Sequence, residues 1–131
     1  MDKPRLMLDS NILIDTLNRK LNLPAFFDTV PECEVYINPV VEIEVLSKAG
    51  MGEREEAEAR ALLNSFKWAE IDKNTCAIAI QIRRAKELRL PDALIAASAI
   101  TLNATVLSND IHLRDYKRHG YIARPCIFPP D

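Results

Sequence analysis

The chain has 131 residues, of which 48% are hydrophobic and 27% charged, and this composition is typical of a globular protein with a sizeable core. A formal net charge of −2 argues against a protein that binds nucleic acid through a general basic surface. No apolar run approaches the roughly 20 residues that a helix needs to cross a bilayer, and the apolar part of residues 1–11 is too short for a signal peptide. We therefore expect a cytoplasmic protein without a membrane segment, folded as one domain over residues 1–131.

Several common kinds of site are not expected from the residues that they require. Cys33, Cys76 and Cys126 are odd in number and widely spaced without a C-x-x-C pair, so we expect reduced thiols rather than a zinc site or a disulfide framework. The sequence contains neither G-x-x-x-x-G-K nor G-x-G-x-x-G, which excludes a nucleotide-binding glycine loop. A Ser-His-Asp or Cys-His site would need His112 or His119, and both lie late in the chain among arginines and lysines.

Short apolar runs typical of buried strands alternate with longer runs that have helical spacing. In chain order they predict a strand over 5–9, helices over 12–21 and 24–30, a strand over 34–38, and helices over 39–50 and 53–66. There follow a strand over 67–72, helices over 75–88 and 91–103, a strand with its exit turn over 104–110, a helix over 111–120 closed by Gly120, and an edge strand over 123–128. Ser10 or Asn11 is a suitable cap for the first helix. The alternation predicts an α/β fold: a three-layer α/β/α sandwich around a central, mainly parallel sheet.

Carboxylates occur where parallel α/β sheets bind ligands, beyond the carboxyl ends of the strands. Asp9 follows the first strand in "LMLDSN", Asp110 follows a later strand in "TVLSND", and Asp92 lies in the first turn of the apolar helix "PDALIAASA". Taken alone, each also fits an ordinary helix cap or a charge at a helix start. Taken together, they predict three carboxylates at one edge of the sheet.

A fourth carboxylate comes from "VVEIEVL" within the helix over 39–50. Glu42 and Glu44 are two residues apart, which is about 200° around a helix, so the two side chains cannot share a face. We expect one to point inward and the other to be solvated.

Four carboxylates that converge in a semi-buried cleft predict a metal site. They would repel one another and raise one another's pKa, and a divalent cation removes that penalty. Oxygen ligands without His or Cys suit a hard ion such as Mg²⁺ or Mn²⁺, and such ions can promote phosphodiester hydrolysis. The basic residues within 83–89 and 114–119, which flank Asp92 and Asp110, fit either contacts to phosphate or an ordinary solvated helix surface.

Four segments, in this order, resemble the PIN domain family and most of all the VapC-type toxins of bacterial and archaeal toxin–antitoxin pairs: "LMLDSNILID", "INPVVEIEVL", "PDALIAASA" and "LSND". The resemblance covers nearly the whole chain and implies a PIN-like fold. It implies a catalytic, metal-binding site with supporting polar residues; the acids are Asp9, Glu44, Asp92 and Asp110, and the supporting residues are Asn11 and Ser108.

The function that the resemblance implies is a Mg²⁺-dependent endoribonuclease that cleaves structured RNA such as tRNA or ribosomal RNA, with Mn²⁺ able to substitute for Mg²⁺. It also implies a homodimer that a small antitoxin protein holds inactive. The acidic site would activate a water molecule for in-line attack on the phosphodiester.

Some positions leave alternatives open. Glu42 competes with Glu44 as the second acid. Asn109 lies where the family more often has a basic residue, which predicts a weaker contact to RNA. Phe26, Phe27 and Val30 are either core residues or part of a groove, formed with the first helix, that accepts an amphipathic antitoxin helix.

Three rival functions need separate treatment. A phosphatase with an aspartyl nucleophile would need a second aspartate where "DSN" has Asn11. A PIN-like nuclease that acts on DNA, or on RNA outside a toxin–antitoxin pair, would share the four acids. A non-catalytic PIN-like binding module would have no reason to keep them.

Overall fold

The computed structural model describes residues 3–117 and 120–126, which form five strands and seven helices within these ranges. The strands are β1 (Arg5–Leu8), β2 (Glu34–Ile37), β3 (Lys67–Trp68), β4 (Thr105–Leu107) and β5 (Ile122–Arg124). The helices are α1 (Ser10–Leu17), α2 (Leu23–Phe27), α3 (Pro39–Leu46), α4 (Glu53–Leu63), α5 (Lys73–Arg84), α6 (Leu90–Leu102) and α7 (Ile111–Arg114). Each predicted element is present, although most are shorter than the sequence pattern indicated.

All five strands pair in parallel, in the order β3-β2-β1-β4-β5. From β1 to β3 the chain adds strands on one side of β1, and it then crosses to the other side for β4 and β5. Because crossover connections are right-handed, the helices before and after this reversal cover opposite faces of the sheet. The structure therefore has the α/β architecture predicted, a central parallel sheet with flanking helices.

The core forms where the central strands meet the helices. The β1 residues Met7 and Leu8 are fully buried, and α6 packs along α5 and against β1 and β4. The helix α6 carries a nearly continuous buried run in "ALIAASA" (93–99), where all residues but Leu94 are buried, because a helix covered on several sides has no solvated face. This burial fixes the helix whose first turn contains Asp92.

Several boundaries differ from those predicted. The cap of α1 is Asp9 rather than Ser10 or Asn11, because the Asp9 side chain accepts a hydrogen bond from the Ser10 backbone N–H. The predicted strand over 67–72 pairs with β2 only at Lys67–Trp68. The last helix ends at Arg114 with Asp115 as its C-cap, so Gly120, at φ +83°, is not the residue that closes it.

The strand predicted over 123–128 is β5, at the edge of the sheet over Ile122–Arg124. Residues 127–128 of that prediction and His119 lie outside the described residues. None of the three cysteines, all of which the structure describes, takes part in a disulfide. Among the helices that the structure describes, none is long and apolar enough to cross a membrane.

Candidate active site

The sheet reverses its order between β1 and β4, and such a switch point is where open α/β sheets bind ligands. Asp9 directly follows β1, and its backbone N–H donates to the Leu107 carbonyl at 3.0 Å. Ser108 directly follows β4, and its N–H donates to the Arg124 carbonyl at 3.1 Å. The backbone pairing thus continues past the strand ends, and it fixes the backbone positions of Asp9 and Ser108.

Asp9 is a buried carboxylate, only 4% exposed, with both of its oxygens engaged. Its Oδ1 accepts from the Ser10 N–H at 2.8 Å, and its Oδ2 accepts from the Ser108 hydroxyl at 2.7 Å. Burial raises the pKa of Asp9 to about 6, and these two hydrogen bonds oppose the rise. The charges of Asp92 and Glu44 add to it. Asp9 therefore both caps α1 and belongs to an acidic cluster.

Ser108 connects the two loops at the switch point. Its fully buried hydroxyl donates to Asp9 and accepts from the Asp110 backbone N–H at 3.0 Å. The Asn11 side-chain amide lies 3.4 Å from the same hydroxyl, and the Asn11 carbonyl oxygen accepts from the Asn109 N–H at 3.4 Å. The two residues expected to support the acids thus lie beside Asp9 and Asp110, where they hold the loops together.

Asp92 and Asp110 face the same cavity from the other side. Asp92 is half-buried in the first turn of α6, where burial and then the Asp110 charge raise the pKa of Asp92. Asp110 caps α7, with its Oδ1 accepting from the His112 N–H at 2.8 Å. Asp110 can therefore cap α7 and also belong to the acidic cluster, since one of its carboxylate oxygens makes the cap and the other remains available to the cavity.

Glu44 is the glutamate that joins the three aspartates. It lines their cavity, and the Ser10 hydroxyl donates to its Oε1 at 2.8 Å. Glu42, also on α3, is not among the residues that line this cavity. The sequence reasoning overlooked Ser10 in this role, although its place between Asp9 and Asn11 in "DSN" was the available signal.

Asn38 fixes the helices that carry Glu44 and Asp92. It is fully buried and caps α3, with its Oδ1 accepting from the Val41 N–H at 3.1 Å. Its amide donates to the Ser98 hydroxyl in α6 at 3.0 Å. The residue was not singled out from the sequence, where its position before Pro39 marked only a helix start.

The four acids line a cavity of about 270 Å³, together with Ser10, Asn11, Arg89 and Pro91. Larger cavities lie elsewhere, and two of them have clearly more apolar linings: one of about 330 Å³ between α1, α3 and α4, and one of about 570 Å³ beside α2 and β2. The smaller cavity is the chemically distinctive one, because it collects four carboxylates, and burial and neighbouring negative charges raise the pKa of two of them, Asp9 and Asp92.

The donor atoms of this cavity fit a hard divalent cation that keeps part of its hydration shell. In the part of the chain that the structure describes, no three carboxylate, imidazole or thiol groups form a ready-made metal cluster. Mg²⁺ does not require one, since proteins bind it through one or two carboxylates while it retains several waters.

The structure bears on two further expectations near the site. The Asn109 side chain forms a reciprocal pair with the Cys126 backbone: Asn109 Nδ2 donates to the Cys126 carbonyl at 2.6 Å, and the Cys126 N–H donates to Asn109 Oδ1 at 2.7 Å. Phe26 is buried core and packs edge-on against Phe27. Phe27 is half-buried and lines the 570 Å³ cavity, so the two rings have different surroundings.

Comparisons with known proteins agree with this fold. A structure described as "VapBC2 from Rickettsia felis bound to a DNA fragment from their promoter" is similar at 20% identity, covering 92% of this chain and 98% of that one, with a TM-score of 0.78. DNA-bound VapBC from Salmonella typhimurium gives 20% identity, coverages of 93% and 98%, and a TM-score of 0.78. A toxin–antitoxin complex from Klebsiella pneumoniae is similar at 22% identity, covering 89% of this chain and 95% of that one, with a TM-score of 0.74. At these identities the likeness establishes the fold.

No curated protein matches the sequence significantly. The model of the PIN domain family matches residues 6–119, which include all four acids, both supporting polar residues and Arg89. With most of the chain matched, the protein belongs to the PIN domain family.

Proposed function

We propose that this chain is a Mg²⁺-dependent endoribonuclease that cleaves structured RNA such as tRNA or ribosomal RNA, as the VapC-type toxin of a toxin–antitoxin pair. The observation that carries the proposal is the meeting of Asp9, Glu44, Asp92 and Asp110 around one cavity at the switch point of the sheet. PIN domain proteins are generally nucleases that use divalent metal ions, and this arrangement is suited to that chemistry.

The four carboxylates would hold the cation, one or two of them directly and the others through the waters that it retains. When bound, Mg²⁺ supplies a water molecule of lowered pKa and stabilises negative charge on a phosphodiester in the transition state. Mn²⁺, which has similar ligand preferences, would substitute.

The residues of the chain itself set the geometry for that step. The Ser108 hydroxyl and the Ser10 N–H fix both oxygens of Asp9, and the Ser10 hydroxyl fixes one oxygen of Glu44. Such pre-positioning reduces the reorganisation needed when substrate and water enter. The remaining free oxygen of Asp110 and the half-buried Asp92, whose pKa is raised, are the groups that would accept a proton from attacking water.

An antitoxin partner is part of the proposal, because one of the similar structures named above is described as a toxin–antitoxin complex and the other two as VapBC bound to DNA. The 570 Å³ cavity beside α2 is the proposed contact, since Phe27, Leu23, Val35, Leu62 and Phe66 give it an apolar lining between α1, α2 and α4. An amphipathic helix from a partner could place its apolar face there. We further propose that the chain acts as a homodimer.

The test is a cleavage assay with purified chain in Mg²⁺ on four substrates: total tRNA, ribosomal RNA, single-stranded DNA and flap DNA. The proposal predicts discrete RNA fragments that are absent with EDTA, and no fragments from either DNA. Cleavage of DNA alone would favour a DNA-directed PIN nuclease, and binding of RNA without any cleavage would favour a non-catalytic module. Either result would overturn the assignment.

A further inference from the structure

Arg89 is, within residues 3–117 and 120–126, the one cationic residue that lines the cavity of the four carboxylates. It precedes α6 directly, three residues before Asp92, and its charge lowers the pKa of Asp92 against the effects of burial and of Asp110. Its guanidinium is therefore close enough to act on the acidic cluster.

The guanidinium nevertheless makes no ion pair or side-chain hydrogen bond with any residue in the described ranges. Most other arginines there are engaged: Arg54, Arg60 and Arg114 with carboxylates, Arg5 and Arg83 with backbone carbonyls, and Arg124 over the Phe26 ring. Arg19 and Arg84 share the lack of a partner, but neither lines the acidic cavity. Arg89 thus combines a place at the site with a free guanidinium.

The base of the side chain is fixed while its end is exposed. The Arg89 carbonyl accepts from the Ala93 N–H at 2.8 Å, which is the first hydrogen bond of α6, and Pro91 restricts the backbone of the first turn. The residue as a whole is exposed. The guanidinium can therefore bind a ligand without any change in the fold.

An arginine whose role was to neutralise the acids would pair with one of them through two parallel hydrogen bonds, since that geometry is the strongest available to it. This arginine stays beside the cluster without such a pair. Its planar set of donors matches two oxygens of a phosphate equally well. The acids require a cation, and the guanidinium remains free for an anion.

We propose that Arg89 binds a backbone phosphate of the RNA next to the bond that is cleaved, and so fixes the register of the substrate over the acidic cavity. The proposal rests on the function proposed above. It makes Arg89 a substrate-binding residue rather than a metal ligand, and it predicts separate effects on RNA affinity and on metal affinity.

The experiment compares Arg89→Gln, Arg89→Lys and the matched control Arg84→Gln, which removes an exposed arginine on α5 that has no partner and does not line the cavity. RNA binding is measured by fluorescence anisotropy in Mg²⁺ over a range of salt concentrations, with each change placed in an Asp9→Asn background so that the RNA stays intact. Metal binding is followed by the rise in melting temperature with Mn²⁺ in the otherwise unchanged chain. Cleavage kinetics of the single variants separate kcat from KM.

For Arg89→Gln we expect RNA affinity to fall at least about tenfold, as for the loss of a hydrogen bond to a charged group. The slope of log affinity against log salt should fall by about 0.7–0.9, the value for one phosphate contact. KM should rise more than kcat falls, and the Mn²⁺ effect should remain. Arg89→Lys should keep the salt slope but recover only part of the affinity, and Arg84→Gln should match the parent protein.

Equal affinity and salt slope for Arg89→Gln and its parent would overturn the assignment, as would a loss no larger than that of Arg84→Gln. A reduced Mn²⁺ effect with unchanged RNA binding would make Arg89 part of the metal site instead. Because the binding measurement does not require cleavage, a parent protein that binds RNA but never cleaves it would refute the nuclease function while leaving the Arg89 result readable.

Discussion

The Ser108 hydroxyl donates to Asp9 Oδ2 at 2.7 Å, and so the residue after β4 fixes the carboxylate after β1. Both residues are buried, and the same hydroxyl accepts from the Asp110 N–H. One side chain therefore sets the positions of two of the four acids.

Ser108→Ala should weaken both the fold and the site. It leaves one oxygen of a buried carboxylate and one N–H without a partner, which should cost about 1.5–3 kcal/mol in the free energy of unfolding. Cleavage should fall about 10–100-fold, as for other residues that orient a metal ligand. Chemical denaturation and initial cleavage rates measure the two effects. Ser108→Thr keeps the hydroxyl and should retain more activity than Ser108→Ala. Ser65→Ala, which changes an exposed serine, serves as the control. Equal activity in Ser108→Ala and the wild-type protein would refute the role of the hydroxyl.

The metal-free protein should be more stable at pH 5 than at pH 7.5. The pKa of Asp9 is about 6 in the folded chain against an ordinary value of 3.8, so the folded state binds the proton more tightly than the unfolded state does. The stability from that proton is present at low pH and is lost as the pH rises through about 6. Between pH 5 and 7.5 the loss should be about 1 kcal/mol.

Melting curves in EDTA at the two pH values measure this difference, which should amount to a few degrees. Asp9→Asn cannot ionise and should lose most of it. If the melting temperature of the wild-type protein changes between the two pH values by the same amount as that of Asp9→Asn, Asp9 ionises normally and the prediction is wrong.

Glu44 and Glu42 should separate sharply by function. Glu44→Gln removes a charge from the acidic cavity and should lower cleavage by about 100-fold or more, since a metal ligand is lost. Glu42→Gln, on the same helix but outside the lining of the cavity, should stay near the wild-type rate. The two rates under identical conditions decide the matter, and the reverse order would assign the second acid to Glu42.

Replacing Phe27 should affect a partner, whereas replacing Phe26 should affect the fold. Phe27→Glu places a charge in the 570 Å³ cavity and should weaken binding of an antitoxin without reducing cleavage of free RNA. Phe26→Glu buries a charge in the core and should unfold the chain. Binding of a co-expressed antitoxin, measured by calorimetry, provides the comparison, and unchanged affinity in Phe27→Glu would exclude this cavity as the contact.

Much of the fold follows from local sequence pattern, because strands and helices in this chain have clear apolar periods. The places of Asp9 and Asp110 follow as well, since strand exits in a parallel sheet meet at one edge, and Asp92 was found from its position in the first turn of an apolar helix. The choice of Glu44 over Glu42 needed the structure, because it depends on how α3 is rotated against its neighbours, and the hydrogen bond from Ser10 records that rotation.

The contacts that fix the site could not be read from the sequence, because they join distant residues. Asn38 to Ser98 and Ser108 to Asp9 span 60 and 99 positions. The cap of α1 was assigned one residue too late because Asp9 was treated as either a cap or a ligand, whereas its two oxygens allow it to cap the helix with one and meet Ser108 with the other. The length of the last helix was overestimated because Gly120 was taken as its end.

The most direct test of the central claim is RNA cleavage by the wild-type chain and by Asp9→Asn, Asp92→Asn and Asp110→Asn, each with Mg²⁺, Mn²⁺ or EDTA, with His112→Ala as the comparison. We predict that the wild-type protein cleaves RNA with either metal and not with EDTA. Each aspartate variant should keep the fold and lose several orders of magnitude in cleavage rate. The rate of His112→Ala should stay within about tenfold of wild type, which is a smaller change than the loss of a general acid or base would cause. Cleavage that persists in EDTA, or that is lost in His112→Ala but kept in the aspartate variants, would contradict a metal site built from these carboxylates.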